Sequence, residues 1–164
     1  MIDLQKLSEI QRVLRDRIEY DGPDRQEKLC LAFLVELGEL ANETRFFKFW
    51  SIDQEMRKEK ALVEYVDNIH FILDIGLGMH ISNYNYWFDE SNIKDHAYDN
   101  LTGQFLWVSN TVTKLWMRDQ SEDFETLVYE YIALGYMLGF SWEEIEQSYM
   151  EKNKINHLRQ QNGY

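Results

Sequence analysis

The chain has 164 residues, 29 of them acidic and 17 basic, for a formal net charge of −12; 45% are hydrophobic and 15% aromatic. This size and apolar content imply a single domain, 1–164, with a sizeable core, and argue against disorder. The negative total excludes a nucleic-acid polymer as main partner, and the one cysteine, Cys30, excludes an internal disulfide and suits the reducing cytoplasm.

The opening MIDLQKLSEI lacks a basic n-region and an apolar h-region, so it does not read as a signal peptide. Residues 2–19 predict a helix with Leu4, Leu7, Ile10, Leu14 and Ile18 facing inward. DGPD at 21–24 is a turn, with Asp21 or Asp24 to cap the next helix and Pro23 near its start. A second helix spans about 25–45, where Cys30 reads as a small buried hydrophobe between Leu29 and Leu31. FFKFWS closes it, and a third helix of about 53–79 follows, capped by Ser51 or Asp53. Its apolar stretch carries Glu64, Asp67, His70 and Asp74, so it does not predict a membrane span. Residues 80–100 are aromatic and polar without period and predict a loop or short helix able to act as a lid. Helices of about 101–118, 122–138 and 141–161 complete the chain, the last opened by a Ser141–Glu144 capping box. The fold class is therefore all-α, a packed helical bundle of about six helices.

Two of these helices carry acids that their surroundings do not favour. LCLAFLVELGELA (29–41) is apolar almost all round and should be buried, yet holds Glu36 and Glu39. ALVEYVDNIHFILDIGL (61–77) likewise holds Glu64 and Asp67. Each pair is spaced i, i+3 and so projects from one face. A short connection makes the helices antiparallel neighbours and can bring all four carboxylates into one pocket. Desolvation and repulsion then raise their pKa values unless protons or cations compensate. Oxygen-only ligands suit Mg²⁺, or Mn²⁺, over zinc. Asp74, seven residues after Asp67, shares that face and reads as structural or solvent-facing.

The closing SYMEKNKINHLRQQNGY places Lys152, Asn156 and Arg159 at i, i+4 and i+7, one stripe of a helix. Basic residues there complement the macrodipole. Opposite a cluster of metal-binding carboxylates they also form a clamp for a polyphosphate, Arg159 as a fork and Lys152 as a point charge. No Walker-type G-x-x-x-x-G-K-[ST] or G-x-S-x-G occurs, which argues against a P-loop or a nucleophile elbow. The chemistry these groups support is metal-assisted attack of water on phosphorus, with one of the four acids able to take a proton.

VELGELANE (35–43), KFWS (48–51), VEYVDNIHFIL (63–73) and YMEKNKINHLRQQNGY (149–164) together resemble the dimeric dUTPase family of the all-α, MazG-like NTP pyrophosphatase superfamily. The resemblance spans nearly the whole chain except 80–125. It implies a helical homodimer, with no membrane partner, that hydrolyses dUTP to dUMP and pyrophosphate and leaves dUDP open as a second substrate. By motif position it implies that Glu36, Glu39, Glu64 and Asp67 bind Mg²⁺. Lys152, Asn156, Arg159 and Tyr164 would hold phosphates, with Lys48 beside them. Gln11, His70, Trp50 and Asn68 would lie toward the nucleoside. Two departures stand out. Arg15 follows Q-x-x-L where the family usually has Asn or Asp, and Asn68 stands where some relatives carry a large apolar or aromatic residue. The alternatives are another nucleotide, such as dCTP or a damaged triphosphate, in the same fold, a non-catalytic nucleotide-binding dimer, and a structural bundle with chance acidic pairs.

Overall fold

The computed structural model describes residues 2–81 and 83–163, which form six α-helices and two short 3-10 helices with no strand among them. Helix α1 is Leu4–Ile18, α2 Arg25–Thr44, α3 Lys58–Gly78, α4 Leu101–Arg118, α5 Ser121–Met137 and α6 Trp142–Gln161. The all-α expectation is met. No described helix is long and apolar enough to cross a membrane.

Local chemistry sets the helix ends. The Asp3 carboxylate accepts from the Lys6 N–H at 2.9 Å and starts α1. Asn100 starts α4 by accepting from the Gly103 N–H at 2.9 Å. The expected capping box is present on α6: Ser141 Oγ accepts from the Glu144 N–H, and Glu144 returns a carboxylate to the Ser141 N–H. The predicted start of α3 is corrected. Ser51 and Asp53 cap nothing, because the Arg45 guanidinium draws both into the α2–α3 connection, donating to Ser51 Oγ at 3.1 Å and to Asp53 O at 2.8 Å. Helix α3 begins five residues later, where the Arg57 N–H donates to Glu43 O at 3.0 Å.

Helix α3 is the central element and is buried over most of its length, from Ala61 to Leu77. Helices α1, α2, α5 and α6 all pack on it, and α4 closes the bundle against α2 and α5. Between α3 and α5 the rings of Tyr65 and Tyr131 stack at 4.6 Å, and each hydroxyl donates to the other's backbone carbonyl, at 3.0 and 2.9 Å. This reciprocal pairing satisfies two fully buried phenols. It also requires Gly135, since a Cβ there would lie 2.5 Å from the Tyr65 hydroxyl.

The 80–100 segment takes the expected short-helix form, with 3-10 helices at Tyr84–Tyr86 and Glu90–His96 packed on α1 and α5. Tyr129 of α5 donates to Trp87 O and accepts from the Asp89 N–H, and Phe88 and His96 stack on its ring. Helix α2 is not buried all round, because Leu31 and Val35 are 63% and 53% exposed. Its inner face is Cys30, Phe33, Leu37 and Leu40.

Candidate active site

Four helices each turn one face toward a common cavity of about 430 Å³. Helix α1 supplies Gln11, Leu14 and Ile18; α2 supplies Arg25, Lys28, Leu29, Ala32 and Glu36. Helix α3 supplies Asp67, His70, Phe71 and Asp74; α6 supplies Lys152, Asn156, Arg159 and Gln160. On every helix the spacing is i, i+3/i+4, i+7, as one face requires. Because α2 and α3 run antiparallel, Glu36 meets Asp67 while Arg25 meets Asp74, one pair at each end of a slot about 10 Å long. The volume is that of a small-molecule site.

At one end Glu36, Glu64 and Asp67 can each offer a carboxylate oxygen, all within 4.8 Å of one another. Burial and the neighbouring Asp67, Glu39 and Glu64 charges push the Glu36 carboxyl up to about 7. Burial, with Asp67 and Glu39 behind it, raises Glu64, and burial raises Asp67 against the pull of Lys152 and Arg159. Glu39, one turn from Glu36, is exposed and lies outside that 4.8 Å set, and its charge adds to the shifts of Glu36 and Glu64. Facing the triad, Lys152 Nζ donates to Asp67 Oδ2 at 2.5 Å, with both side chains largely buried.

At the other end Asp74 is 3% exposed. It accepts from Arg15 and from Arg25 Nη2, the latter at 3.1 Å. It is therefore buried and ion-paired rather than solvent-facing, and Arg15 is spent on it. Gln11 connects this ion-paired group to His70, whose Nδ1 lies 2.8 Å from Gln11 Oε1. His70 stacks on Tyr149 at 4.1 Å. Burial, helped by Lys152 and His157, lowers its pKa to about 3, so the ring is neutral at pH 7.

The structure thus gathers Gln11, Glu36, Asp67, His70, Lys152, Asn156 and Arg159 around one cavity, with Glu64 completing the acidic triad. It does not bring Asn68, Lys48 or Trp50 there. Asn68 is fully buried between α2 and α3; with its amide oriented to pair donors with acceptors, Nδ2 donates to Phe33 O at 2.9 Å and Oδ1 accepts from the Leu37 N–H at 3.0 Å. Lys48 lies over the Phe47 ring, and Trp50 is 65% exposed in the α2–α3 connection. Tyr164 lies outside the described residues. The sequence reading missed the apolar walls, Leu14, Leu29, Ala32 and Phe71, and the Arg25–Lys28 end. Arg25, Leu29, Ala32 and Glu36 share one helical stripe, which is the signal that would have found them.

An all-α bundle whose cavity opposes a carboxylate triad to the Lys152–Arg159 stripe of α6 is suited to a polyanion carried with cations. The family model described as dUTPase matches residues 3–164, and the chain belongs to that all-α dUTPase family. It is a dUTP diphosphatase, and its substrate is accordingly a nucleotide. No curated protein matches the chain.

Proposed function

We propose that dUTP is hydrolysed to dUMP and pyrophosphate in the α1–α2–α3–α6 cavity, with Mg²⁺, or Mn²⁺ in its place, held by Glu36, Glu64 and Asp67. The observation that carries this is the triad itself: three carboxylates converge within 4.8 Å, and burial and mutual repulsion leave them short of positive charge. An oxygen-only donor set of that kind fits a hard divalent ion. Bound there, the ion supplies charge neutralisation at the phosphate oxygens and acidifies water.

The chain's own residues supply the rest. One of the four carboxylates takes the proton of the attacking water, and the exposure of Glu39 supports assigning that step to it. Lys152 and Arg159 neutralise the outer phosphate oxygens, and the Asn156 amide donates between them. Leu14, Leu29, Ala32 and Phe71 form an apolar slot for the nucleoside, with Gln11 and His70 as its polar contacts. The discarded group leaves as pyrophosphate, and no covalent intermediate is needed.

A homodimer follows from the same reading. Leu31 and Val35 form an exposed apolar stripe on α2, and Leu31 shares a groove with Leu34, Val112 and Trp116, the last 53% exposed. A stripe of this kind suits a second copy. Cys30, buried with its thiol pushed up to about 11, suits the reducing cytoplasm.

The deciding experiment is pyrophosphate release from dUTP, dCTP, dTTP and dATP, and phosphate release from dUDP, with Mg²⁺ and with EDTA, beside Asp67→Asn. Release from dUTP that needs Mg²⁺ and is lost in the variant supports the reading. Release that survives EDTA overturns the metal site, and release that survives Asp67→Asn overturns the triad.

A further inference from the structure

A line of hydrogen bonds runs from the Arg15–Arg25 pair to the ring of His70. Asp74 takes donors from Arg15, whose guanidinium also reaches Asp74 O at 2.9 Å, and from Arg25 Nε and Nη2 at 3.4 and 3.1 Å. A carboxylate accepts and does not donate. The Gln11 amide atom facing it, 3.4 Å from Asp74 Oδ2, is therefore Nε2. That turns Gln11 Oε1 toward His70 Nδ1 at 2.8 Å, and the Tyr149 hydroxyl donates to the same oxygen at 3.2 Å. With an acceptor opposite it, His70 Nδ1 carries the ring proton, and Nε2 is left as a bare lone pair. That nitrogen is buried and has no partner.

We propose that Asp74 is a positioning residue for base selection: clamped by Arg15 and Arg25, it fixes the Gln11 amide, and the amide fixes His70 in the tautomer that offers a lone pair at Nε2. The proposal rests on the reading that the nucleoside lies against Gln11 and His70. An acceptor at that point matches the N3–H of uracil and meets a lone pair in cytosine. A site built to pair with an N–H rejects the base that lacks it, since a buried polar group is then left unsatisfied. His70 Nε2 is covered in the structure, so the base reaches it only as the side chains over it give way.

The test combines NMR of the histidine ring nitrogens in the full chain with kcat and KM for dUTP and dCTP. The chain has four histidines, and His70→Gln assigns the signal. The wild-type ring is expected as Nδ1–H with an unprotonated Nε2. In Asp74→Asn the tautomers mix and the dUTP over dCTP ratio of kcat/KM falls about tenfold, mainly through KM; Asp74→Glu, which restores a carboxylate, recovers part of it. A wild-type ring protonated at Nε2 overturns the proposal whether or not the variants fold. Mixed tautomers with an unchanged base ratio overturn it too. If His70→Gln leaves KM and the ratio untouched, the placement of the nucleoside has failed, and the tautomer measurement separates that failure from the first.

Discussion

Lys152 donates to Asp67 at 2.5 Å, so a cation from α6 already sits on an oxygen of the acidic triad. The same ammonium cannot serve Asp67 and a phosphate equally well. Divalent ions held by the triad would displace it toward the substrate, so metal and substrate binding are expected to be linked. Lys152→Met removes both roles. We expect kcat/KM for dUTP to fall about a hundredfold, the scale set by losing one donor to developing charge. Pyrophosphate release checks this, and a loss under threefold would refute a phosphate role for Lys152.

Glu36 makes the metal-free protein sensitive to pH in a definite direction. Its carboxyl lies at about 7 in the folded chain, above the ordinary 4.5. Between those values the folded state binds more protons than the unfolded one, so Glu36 costs stability as pH rises through the window. His70 works in the opposite sense below pH 6.5, because burial holds its folded pKa at about 3. Comparing Glu36→Gln with wild type isolates the first effect. In EDTA the variant's Tm advantage should be larger at pH 8 than at pH 5. A constant offset across that range would contradict the placement of Glu36 among buried acids.

Divalent ions should stabilise the protein itself. At a metal concentration 100-fold above Kd, Tm should rise by about 5–10 °C, from the linkage relation and the usual size scaling. Glu36→Gln and Asp67→Asn should each abolish most of the rise, and exposed Glu39→Gln should reduce it less. Thermal denaturation with Mg²⁺, Mn²⁺ and EDTA provides the comparison. Equal losses in all three variants would make Glu39 a full ligand.

The apolar stripe on α2 gives a separate expectation. Placing charge on it and on the adjoining face of α4, with Val35→Glu combined with Trp116→Glu, should convert a sedimenting dimer to monomer while leaving the helical circular dichroism intact, because both side chains are more than half exposed. Sedimentation of a wild-type monomer at tens of micromolar would remove the basis for this interface.

The acidic triad was legible in the sequence because i, i+3 acids inside apolar helices are conspicuous, and the α6 stripe because Lys152, Asn156 and Arg159 align at i, i+4 and i+7. The cavity walls were not, since Leu14, Leu29 and Phe71 at helical spacing look the same whether they face core or ligand. The Arg15–Asp74 and Arg25–Asp74 pairs join residues 59 and 49 positions apart, a separation no local pattern encodes. The aromatics of 84–88 gave no period because a three-residue 3-10 turn is too short to repeat a face, and Tyr129 of a distant helix decides where they pack. The exposed stripe of α2 escaped notice for a related reason: Leu31 and Val35 have the composition of residues hidden in a core.

Asn68 bridges a carbonyl and an N–H four residues apart on α2, and so its amide indexes one helix against another. Each residue of slip would rotate α2 by about 100°, carrying Glu36 off the face that meets Asp67. Length changes should therefore be felt very unevenly. The 45–57 connection, outside both helices, can absorb an added residue. One inserted between Phe33 and Glu36, or between Glu64 and Asn68, cannot be absorbed. A deletion scan of α2 and α3 would then trace the catalytic register as a band of intolerance centred on an asparagine that touches no substrate.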